Sequence, residues 1–535
     1  MSNRFSNYPE DLKERIDGGE IIQQSYVSFV KELNSFSEKQ LDQTALVCGG
    51  RSLSYRKMFR VWDRYVQVFT ALGITAESRS RIAHVADVDM ESIHVFYGAR
   101  ITGAAVSEFL LVDVLDEKRI GLSFQKEQIT DLVIDADLLK PDMLRMLSEK
   151  KKSYGIHNLI VYFPKMTPES ARMPLSAPKR ALHRHLRRVP GVLFMDELLD
   201  EYRDGEIFRD SSDSREAPMV FHTSGTTSGI HKPVPLSDFA FNESAARFMR
   251  DTQFSTLKRA TSFISFPIAI VVSASSMMHL PFAFGGTIVL PDQTAGMFFT
   301  LKSLEENRVN VLHASGLVFK MLMDNPIPLD LSHVEMAVMG GTGESSENRQ
   351  QYIRFLRSRN KKTKLLVGYG LTEVGGAALL SEPNSIEDRL GRPLPGVKIK
   401  IRKEEVGSFH ELSEGPMTGV LYLSTPSLSG SRIGDEVFFT HELIDGEPYL
   451  NTCDLVDVHE DGSIQVIGRM NKYSSTTKAS ALMRVWWKPP FLLSREFSSA
   501  AWCPALTSSF TIPYPICMCP CQTRRRRARG WCRMH

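Results

Sequence analysis

The chain has 535 residues, 42% of them hydrophobic and 24% charged, with 65 Lys+Arg against 62 Asp+Glu. At roughly 150 residues per domain this length predicts two to four domains with large buried cores; the composition excludes a disordered chain, a disulfide miniprotein and a coiled coil. The net charge of +3 joins two unlike parts: residues 474–535 carry ten Lys+Arg and one Asp+Glu, whereas residues 1–473 carry 55 and 61. That tail also holds five of the seven Cys and four of the five Trp, so the body is read by itself.

The N-terminus, MSNRFSNYPEDLKER, places charges and a proline where a secretory signal needs an apolar core. Only Cys48 and Cys453 precede the tail, too few for a disulfide framework, and a reducing cytoplasm is expected. The acidic body carries no basic surface signal for nucleic acid. The first clear element is a helix over 55–72: Ser54 is placed to cap it, Met58, Trp62, Tyr65, Phe69 and Leu72 recur at helical spacing, and Gly73 closes it. This stripe is read as core. Ser80–Ala86 reads as a strand and Met90–Gly103 as a helix, and Met219–His222 follows as a buried strand.

The uncharged run Ala260–Pro291 reaches transmembrane length. Pro267, Pro281, His279, Gly285, Gly286 and five serines inside it favour buried strands and a helix over a membrane span, so no integral membrane segment is expected. Thr287–Leu290, Asn310–His313, Glu335–Met339 and Lys364–Val367 read as further buried strands, with a helix over Ser345–Ser358 between them. Such alternation predicts an α/β fold of mostly parallel sheets. After Gly391 the texture changes to short strands and turns (Val397–Ile401, Val420–Leu423, Ser463–Ile467), which predicts a smaller β-rich subdomain. No repeat of 20–50 residues is visible.

Four segments carry chemistry. In Phe221-His-Thr-Ser-Gly-Thr-Thr-Ser-Gly-Ile-His-Lys-Pro233, five hydroxyl residues, two glycines and a lysine follow a short apolar strand. Hydroxyls, unhindered backbone N–H groups and one ammonium are the set that wraps a polyphosphate. Gly229 and Lys232 are not adjacent, so this is not a Walker A loop. In Val367-Gly-Tyr-Gly-Leu-Thr-Glu373, read as directly following a strand, a glycine-flanked aromatic can lie on a planar base and a carboxylate can hold Mg²⁺; an ordinary turn fits equally. Met339-Gly-Gly-Thr-Gly-Glu344 is another glycine turn at a strand end. Tyr449-Leu-Asn-Thr-Cys-Asp454, with Gly468-Arg469 downstream, offers one acid and one base that can hold a ribose and a phosphate. For each of the last two, taken singly, a surface turn is the favoured reading.

In this order and spacing the four segments resemble the adenylate-forming (AMP-binding) superfamily, which includes acyl-CoA synthetases, peptide-synthetase adenylation domains and luciferase-like enzymes. The likeness runs from about residue 45 to residue 473, and Leu53-Ser54-Tyr55 and Gly391-Arg-Pro-Leu-Pro-Gly396 fit it too. The resemblance implies that Thr223, Ser224, Gly225, Thr226, Thr227, Ser228, Gly229 and Lys232 hold the ATP phosphates. It implies that Gly341, Thr342 and Gly343 line the adenine site, and that Tyr369 and Gly370 place the adenine-stacking ring. Thr372 would contact phosphate, Glu373 would hold Mg²⁺, Asp454 the ribose hydroxyls, and Arg469 ribose or phosphate. Lys232, Thr372 and Glu373 are the implied catalytic set.

The implied reaction joins a small-molecule carboxylic acid to AMP with release of pyrophosphate. A thiol, from CoA or the phosphopantetheine arm of an acyl or peptidyl carrier protein, would then take the acyl group. In amino-acid-activating relatives an aspartate after the phosphate loop pairs with the substrate ammonium; the corresponding Phe266–Met278 has no acid, which favours an apolar or aromatic acid. His222 and His279 fit either that pocket or the core. Readings that compete with a working enzyme are a nucleotide-binding remnant without turnover and a membrane-associated ligase.

The chain departs from the family pattern at an extra residue near Ser228, at His231 in place of proline, at Cys453 in place of glycine, and at Asn471-Lys472 around the hinge. The expected division is an α/β AMP-binding core over 1–390, a β-rich subdomain over 391–473 and an aberrant tail over 474–535. In this superfamily a mobile C-terminal domain follows the Gly-Arg motif and supplies a lysine to the reacting carboxylate. Residues 474–535 have no readable periodicity, and a one-base frameshift after Tyr473 is the favoured reading. With suitable codons, the neighbouring frame of Ser474–Lys488 encodes Phe-Val-Asn-Asn-Lys-Gly-Ile-Arg-Phe-Asp-Ala-Gly-Leu-Val-Glu, a polar turn leading into an amphipathic helix. A zinc site at Cys517, Cys519, Cys521 and Cys532 and a basic nucleic-acid tail at Arg524–Arg527 and Arg529 are the rivals. Alternate-residue cysteines suit neither a finger nor a ribbon. The expectation is a missing or scrambled C-terminal domain and impaired turnover.

Overall fold

The computed structural model describes residues 10–470, except 35–37, 115–116, 165–176, 203–218, 224–231, 252–253, 255–256, 258, 265, 293–296, 326–328, 341–343, 404–407, 431, 434–435 and 439. The strands in chain order are β1 (Thr44–Cys48), β2 (Arg51–Ser54), β3 (Arg81–Val85), β4 (Ala105–Phe109), β5 (Asp131–Asp135), β6 (Asn158–Tyr162), β7 (Leu193–Phe194), β8 (Met219–His222) and β9 (Pro233–Leu236). They continue with β10 (Thr261–Phe263), β11 (Thr287–Leu290), β12 (Val311–His313), β13 (Met336–Gly340), β14 (Lys364–Leu371), β15 (Gly376–Leu380) and β16 (Arg392–Pro393). The last group is β17 (Lys398–Arg402), β18 (Phe409–His410), β19 (Met417–Ser424), β20 (Arg432–Ile433), β21 (Glu436–Val437), β22 (Glu442–Ile444), β23 (Glu447–Val458) and β24 (Ile464–Arg469).

Two mostly parallel sheets form the body. One runs β7-β6-β5-β3-β4-β8-β9, with only the β8–β9 pair antiparallel. The other runs β16-β15-β14-β13-β12-β10-β11-β1-β2, antiparallel only at its two ends. Alternate residues of these strands enter different cores, as a two-residue side-chain period requires. Ile82, Val106, Val133 and Ile160 join Ile288, Val311, Met336 and Leu366 in one core shared by both sheets. Ala83, Leu132, Ile134 and Val161 fill the opposite face of the first sheet, and Phe263, Leu312, Ala337 and Leu365 that of the second. Both faces being covered, the strands read as continuous apolar runs. The third sheet, β18-β17-β19-β23-β22 with β24 on β23, is antiparallel throughout. This is the fold class that the alternation predicts. Arg392–Pro393 still pairs with the nine-stranded sheet, and the β-rich sheet begins at Lys398.

The helix Tyr55–Ala71 is capped as its sequence predicts: the Lys57 amide donates to Ser54 Oγ at 3.3 Å, and Gly73 takes a φ of +74° that a side chain would resist. Met58, Trp62, Tyr65 and Phe69 are buried in the shared core, and Trp62 stacks on Tyr97 at 4.2 Å. The uncharged run Ala260–Pro291 folds as β10, a π-helix over Ser273–His279, the short helix Leu280–Ala283 and β11. Among the described residues no helix is long and apolar enough to cross a membrane.

A buried acidic cluster, with Asp89, Glu91 and Asp135, lies just past the end of β3 and at the end of β5. Burial, then repulsion from Glu91, Asp87 and Asp137, raises the Asp89 carboxyl well above the usual range, and burial, then repulsion from Asp89, Asp137 and Asp87, does the same to Asp135. A raised acid contributes stability that is complete below its unfolded value, about 3.9, and is lost as pH rises through the folded value. Asp135→Asn keeps an oxygen for the Asp137 amide, which Asp135 Oδ1 accepts at 2.7 Å, and carries no charge. It should therefore be more stable than the parent by roughly 1–3 kcal/mol at pH 8, with the gain shrinking towards pH 4. Thermal melts across that range check this; a gain independent of pH would contradict it.

Candidate functional site

Three of the anticipated residues converge where the nine-stranded sheet meets the antiparallel one. Tyr369 on β14 donates its hydroxyl to Asp454 Oδ2 at 2.6 Å. Asp454 on β23 stands opposite Arg469 on β24, whose Nε lies 3.5 Å from Oδ1. Burial raises the Asp454 carboxyl, and Arg469 and the Tyr369 hydroxyl act against that rise. Burial and the adjacent carboxylate push the Tyr369 phenol up. The cluster offers an aromatic face, a carboxylate and a half-exposed guanidinium.

The sequence placed Val367–Glu373 after a strand; β14 instead continues to Leu371. The reason is β15, which turns back at Gly375 (φ +74°) and pairs with Gly368–Leu371. Gly370 has no room for a side chain, since a Cβ there would lie 2.0 Å from the Gly376 carbonyl oxygen. Thr372 and Glu373 occupy the single helical turn between the strands. The turn is tied on both sides: Ser429 N donates to Glu373 O at 2.9 Å, Ser427 Oγ to Val374 O at 2.8 Å, and Ser244 Oγ to Gly375 O at 3.4 Å. No described residue pairs with the Glu373 carboxylate. β13 ends at Gly340, opposite Gly368; Gly341, Thr342 and Gly343 lie outside the described residues.

Of the phosphate-loop residues, Thr223 and Lys232 are described, and Ser224, Gly225, Thr226, Thr227, Ser228 and Gly229 lie outside the described residues, as do Asn471-Lys472 and the 474–535 tail. The stem is closed in both directions, by Thr223 N donating to Lys232 O at 3.0 Å and Lys232 N to Thr223 Oγ1 at 3.2 Å. β9, immediately after Lys232, packs against the turn Thr372–Val374. The stem and the signature turn are therefore neighbours.

His279 is a core residue. Its Nε2 donates to Asn242 Oδ1 at 2.9 Å, Tyr97 OH faces its Nδ1 at 3.1 Å, and burial pushes it down to about 3. Sequence reasoning missed Arg247, which is fully buried in the helix Asp238–Arg250. Its Nη1 donates to Ala377 O at 2.9 Å and its Nη2 to Thr425 Oγ1 at 2.7 Å and to Ser427 Oγ. A lone arginine at a helix interior gives no local sign of such partners.

Cys453, beside Asp454, has φ +60°, a left-handed conformation that costs a β-carbon roughly 1–2 kcal/mol. Its amide donates to Asn451 Oδ1 at 2.9 Å, and its carbonyl accepts from Met470 N at 2.7 Å, which holds it there. Cys453→Gly should raise stability by about 1 kcal/mol, visible as a higher melting temperature. An unchanged or lower melting temperature would show the strain to be absent.

The family model of the AMP-binding enzyme matches residues 33–430, and the chain belongs to that family. It is 26% identical over 298 residues to 4-coumarate–CoA ligase-like 3 of Arabidopsis thaliana, covering 53% of this chain and 50% of that protein. It is 24% identical over 305 residues to gramicidin S synthase 2 of Aneurinibacillus migulanus, covering 54% of this chain and 6% of the synthase. The chain thus spans half or less of the length of these relatives. The long-chain-fatty-acid-CoA ligase FadD1 of Archaeoglobus fulgidus superposes with a TM-score of 0.66 over 84% of each chain at 13% identity, a likeness of fold. The chain's family is that of the adenylate-forming acyl-CoA ligases and adenylation domains.

Proposed function

We propose that this chain activates a carboxylic acid with ATP, giving an acyl-adenylate and pyrophosphate, and passes the acyl group to the thiol of CoA or of a phosphopantetheine arm. The observation that carries the reading is the Tyr369–Asp454–Arg469 cluster beside a turn that bears Thr372 and Glu373. Tyr369 and Gly370 present an aromatic face to adenine, and Asp454 accepts from the ribose hydroxyls. Arg469 reaches ribose or phosphate. Thr223, Lys232 and Thr372, with Ser224–Gly229 by sequence, hold the phosphates, and Gly341–Gly343 line the base.

A substrate carboxylate oxygen attacks the α-phosphorus, the bond to the β-phosphate bridging oxygen breaks, and pyrophosphate leaves. The thiol sulfur then bonds to the acyl carbon, its proton is released, and AMP departs. Charge neutralisation and positioning supply most of such catalysis. Among the described residues no three acidic, His or Cys side chains cluster as a metal cage. The Glu373 carboxylate, which pairs with no described residue, fits Mg²⁺, which keeps several waters and takes substrate phosphates as ligands. When bound there it neutralises phosphate charge.

The acid is proposed to be apolar or aromatic. The π-helix Ser273–His279 abuts β15 just beyond the signature turn, and a Cβ on Gly376 would lie 2.7 Å from Ser275 Oγ. Ile268, Ala269, Val271, Met277 and Met278 in Phe266–Met278 are buried and none of that stretch's residues is acidic, so an ammonium would meet no counter-charge from it. An ATP–pyrophosphate exchange panel of aryl, fatty and α-amino acids tests this; exchange with amino acids alone would sink the preference. Reduced turnover belongs to the same proposal and rests on residues 474–535 as sequence. The nucleotide sequence across codons 468–500 tests its frameshift premise.

A further inference from the structure

His222 is the last residue of β8 and precedes Thr223, where the closed stem begins. Its imidazole is buried between two acceptors: Nδ1 lies 2.9 Å from Glu108 O and Nε2 2.8 Å from Glu127 Oε1. The pair's side chains are only 7% and 2% exposed, and the ring packs on Phe109 at 4.5 Å. A carbonyl oxygen can only accept, so Nδ1 carries a proton. The Nε2–Glu127 contact requires a second. One proton along that contact closes it, so the ring is held at both nitrogens. Glu108, which receives the Nδ1 bond on its main chain, is itself fixed: its side chain meets His84 Nδ1 at 2.9 Å in a fully buried pair.

These contacts join the loop stem to β4 and to Glu127, just past the helix Glu117–Lys126. Thr223 and Lys232, locked to each other, hang directly from His222. We propose that the Glu127–His222 pair is a positioning clamp for Thr223 and Lys232, and so selectively supports binding of the phosphate end of ATP. The proposal rests on the nucleotide-site reading above. Neither residue touches the nucleotide in this account; both act through the stem. A ring bonded at both nitrogens has one orientation, and the tie leaves the stem one fixed geometry.

The test is nucleotide affinity of the full chain, measured with ATP and with adenosine, for Glu127→Ala, Glu127→Gln, His222→Phe and the Glu127→Ala/His222→Phe double variant. Glu127→Ala and His222→Phe should each weaken ATP about tenfold and leave adenosine within twofold. Glu127→Gln, whose amide can donate to a neutral Nε2, should restore most of the affinity. The double variant should be no weaker than either single one, because both break the same tie. Unchanged ATP affinity in either single variant would overturn the clamp, and so would equal losses for ATP and adenosine. If one alanine or phenylalanine variant does not fold, the other and Glu127→Gln still decide it. A parent chain that binds ATP yet fails these comparisons defeats the clamp alone; one that binds neither ligand defeats the nucleotide reading together with it.

Discussion

Asp454→Ala is expected to weaken ATP binding by about two to four orders of magnitude while leaving the melting temperature nearly unchanged. Asp454 faces two demands. Its Oδ2 receives the Tyr369 hydroxyl and its Oδ1 faces Arg469, and the proposed ribose contacts fall on the same carboxylate. Hydrogen bonds to a charged acceptor contribute about 1.5–3 kcal/mol each, so two of them correspond to roughly a hundredfold to ten-thousandfold in affinity. The alanine also releases Tyr369 from the acceptor that fixes its ring. Folding loses little, because burial already raises this carboxyl and Arg469 is half exposed. Asp454→Asn keeps an oxygen for Tyr369 but loses the charge, and should cost about tenfold. Titration of ATP against melts of each variant makes the comparison, and an alanine variant that binds ATP as the parent does would remove the cluster from the nucleotide site.

The residues of this cluster were visible in the sequence in two weak segments, with Tyr369, Asp454 and Arg469 spaced 85 and 15 positions apart. Local chemistry marked them: a glycine-flanked aromatic in one, and an acid with a Gly-Arg downstream in the other. The helix Tyr55–Ala71 and strands Met219–His222 and Thr287–Leu290 were legible for the same reason, since capping, apolar periodicity and glycine punctuation are local. The strand continuation from Val367 to Leu371 was not, because its partner β15 lies beyond the turn. The π-helix at Ser273–His279 has no distinguishing period, and its winding is sustained by side-chain bonds such as Ser275 Oγ to Val271 O at 2.8 Å.

The buried polar ties were the least legible. His222 suggested a pocket or a core residue equally, and its contact with Glu127, 95 residues away in the chain and 2.8 Å away in space, has no local sign. Arg100 is similar: its partner Asp238 is 138 residues away at 2.9 Å, and together they join the helix Met90–Ile101 to the start of Asp238–Arg250. Pairs of this kind fix how the two large sheets and their helices sit, yet each partner alone reads as a surface charge.

Arg247 is the tie whose loss should be felt most widely. Burial pushes it down to about 10, so it remains a cation at neutral pH, with Glu243 as a buried counter-charge. It holds Ala377 on β15 and, through Thr425 and Ser427, the segment after β19. Ser427 in turn binds Val374 O in the signature turn. Arg247→Met fills a similar volume without charge. It strands the Ala377 carbonyl and leaves Glu243 to Arg250 alone among the arginines facing it. Removing one partner from a buried charged arrangement costs roughly 3–5 kcal/mol, and a drop of about 6–15 °C in melting temperature is expected. Because the arginine anchors β15 and the turn bearing Glu373, ATP affinity should fall as well at temperatures where the variant is still folded. Arg247→Met/Glu243→Leu, which removes both charges, should recover part of the stability. A single variant that melts with the parent would mean that water replaces the guanidinium, and that the turn is held by Ser244, Ser427 and Ser429 alone.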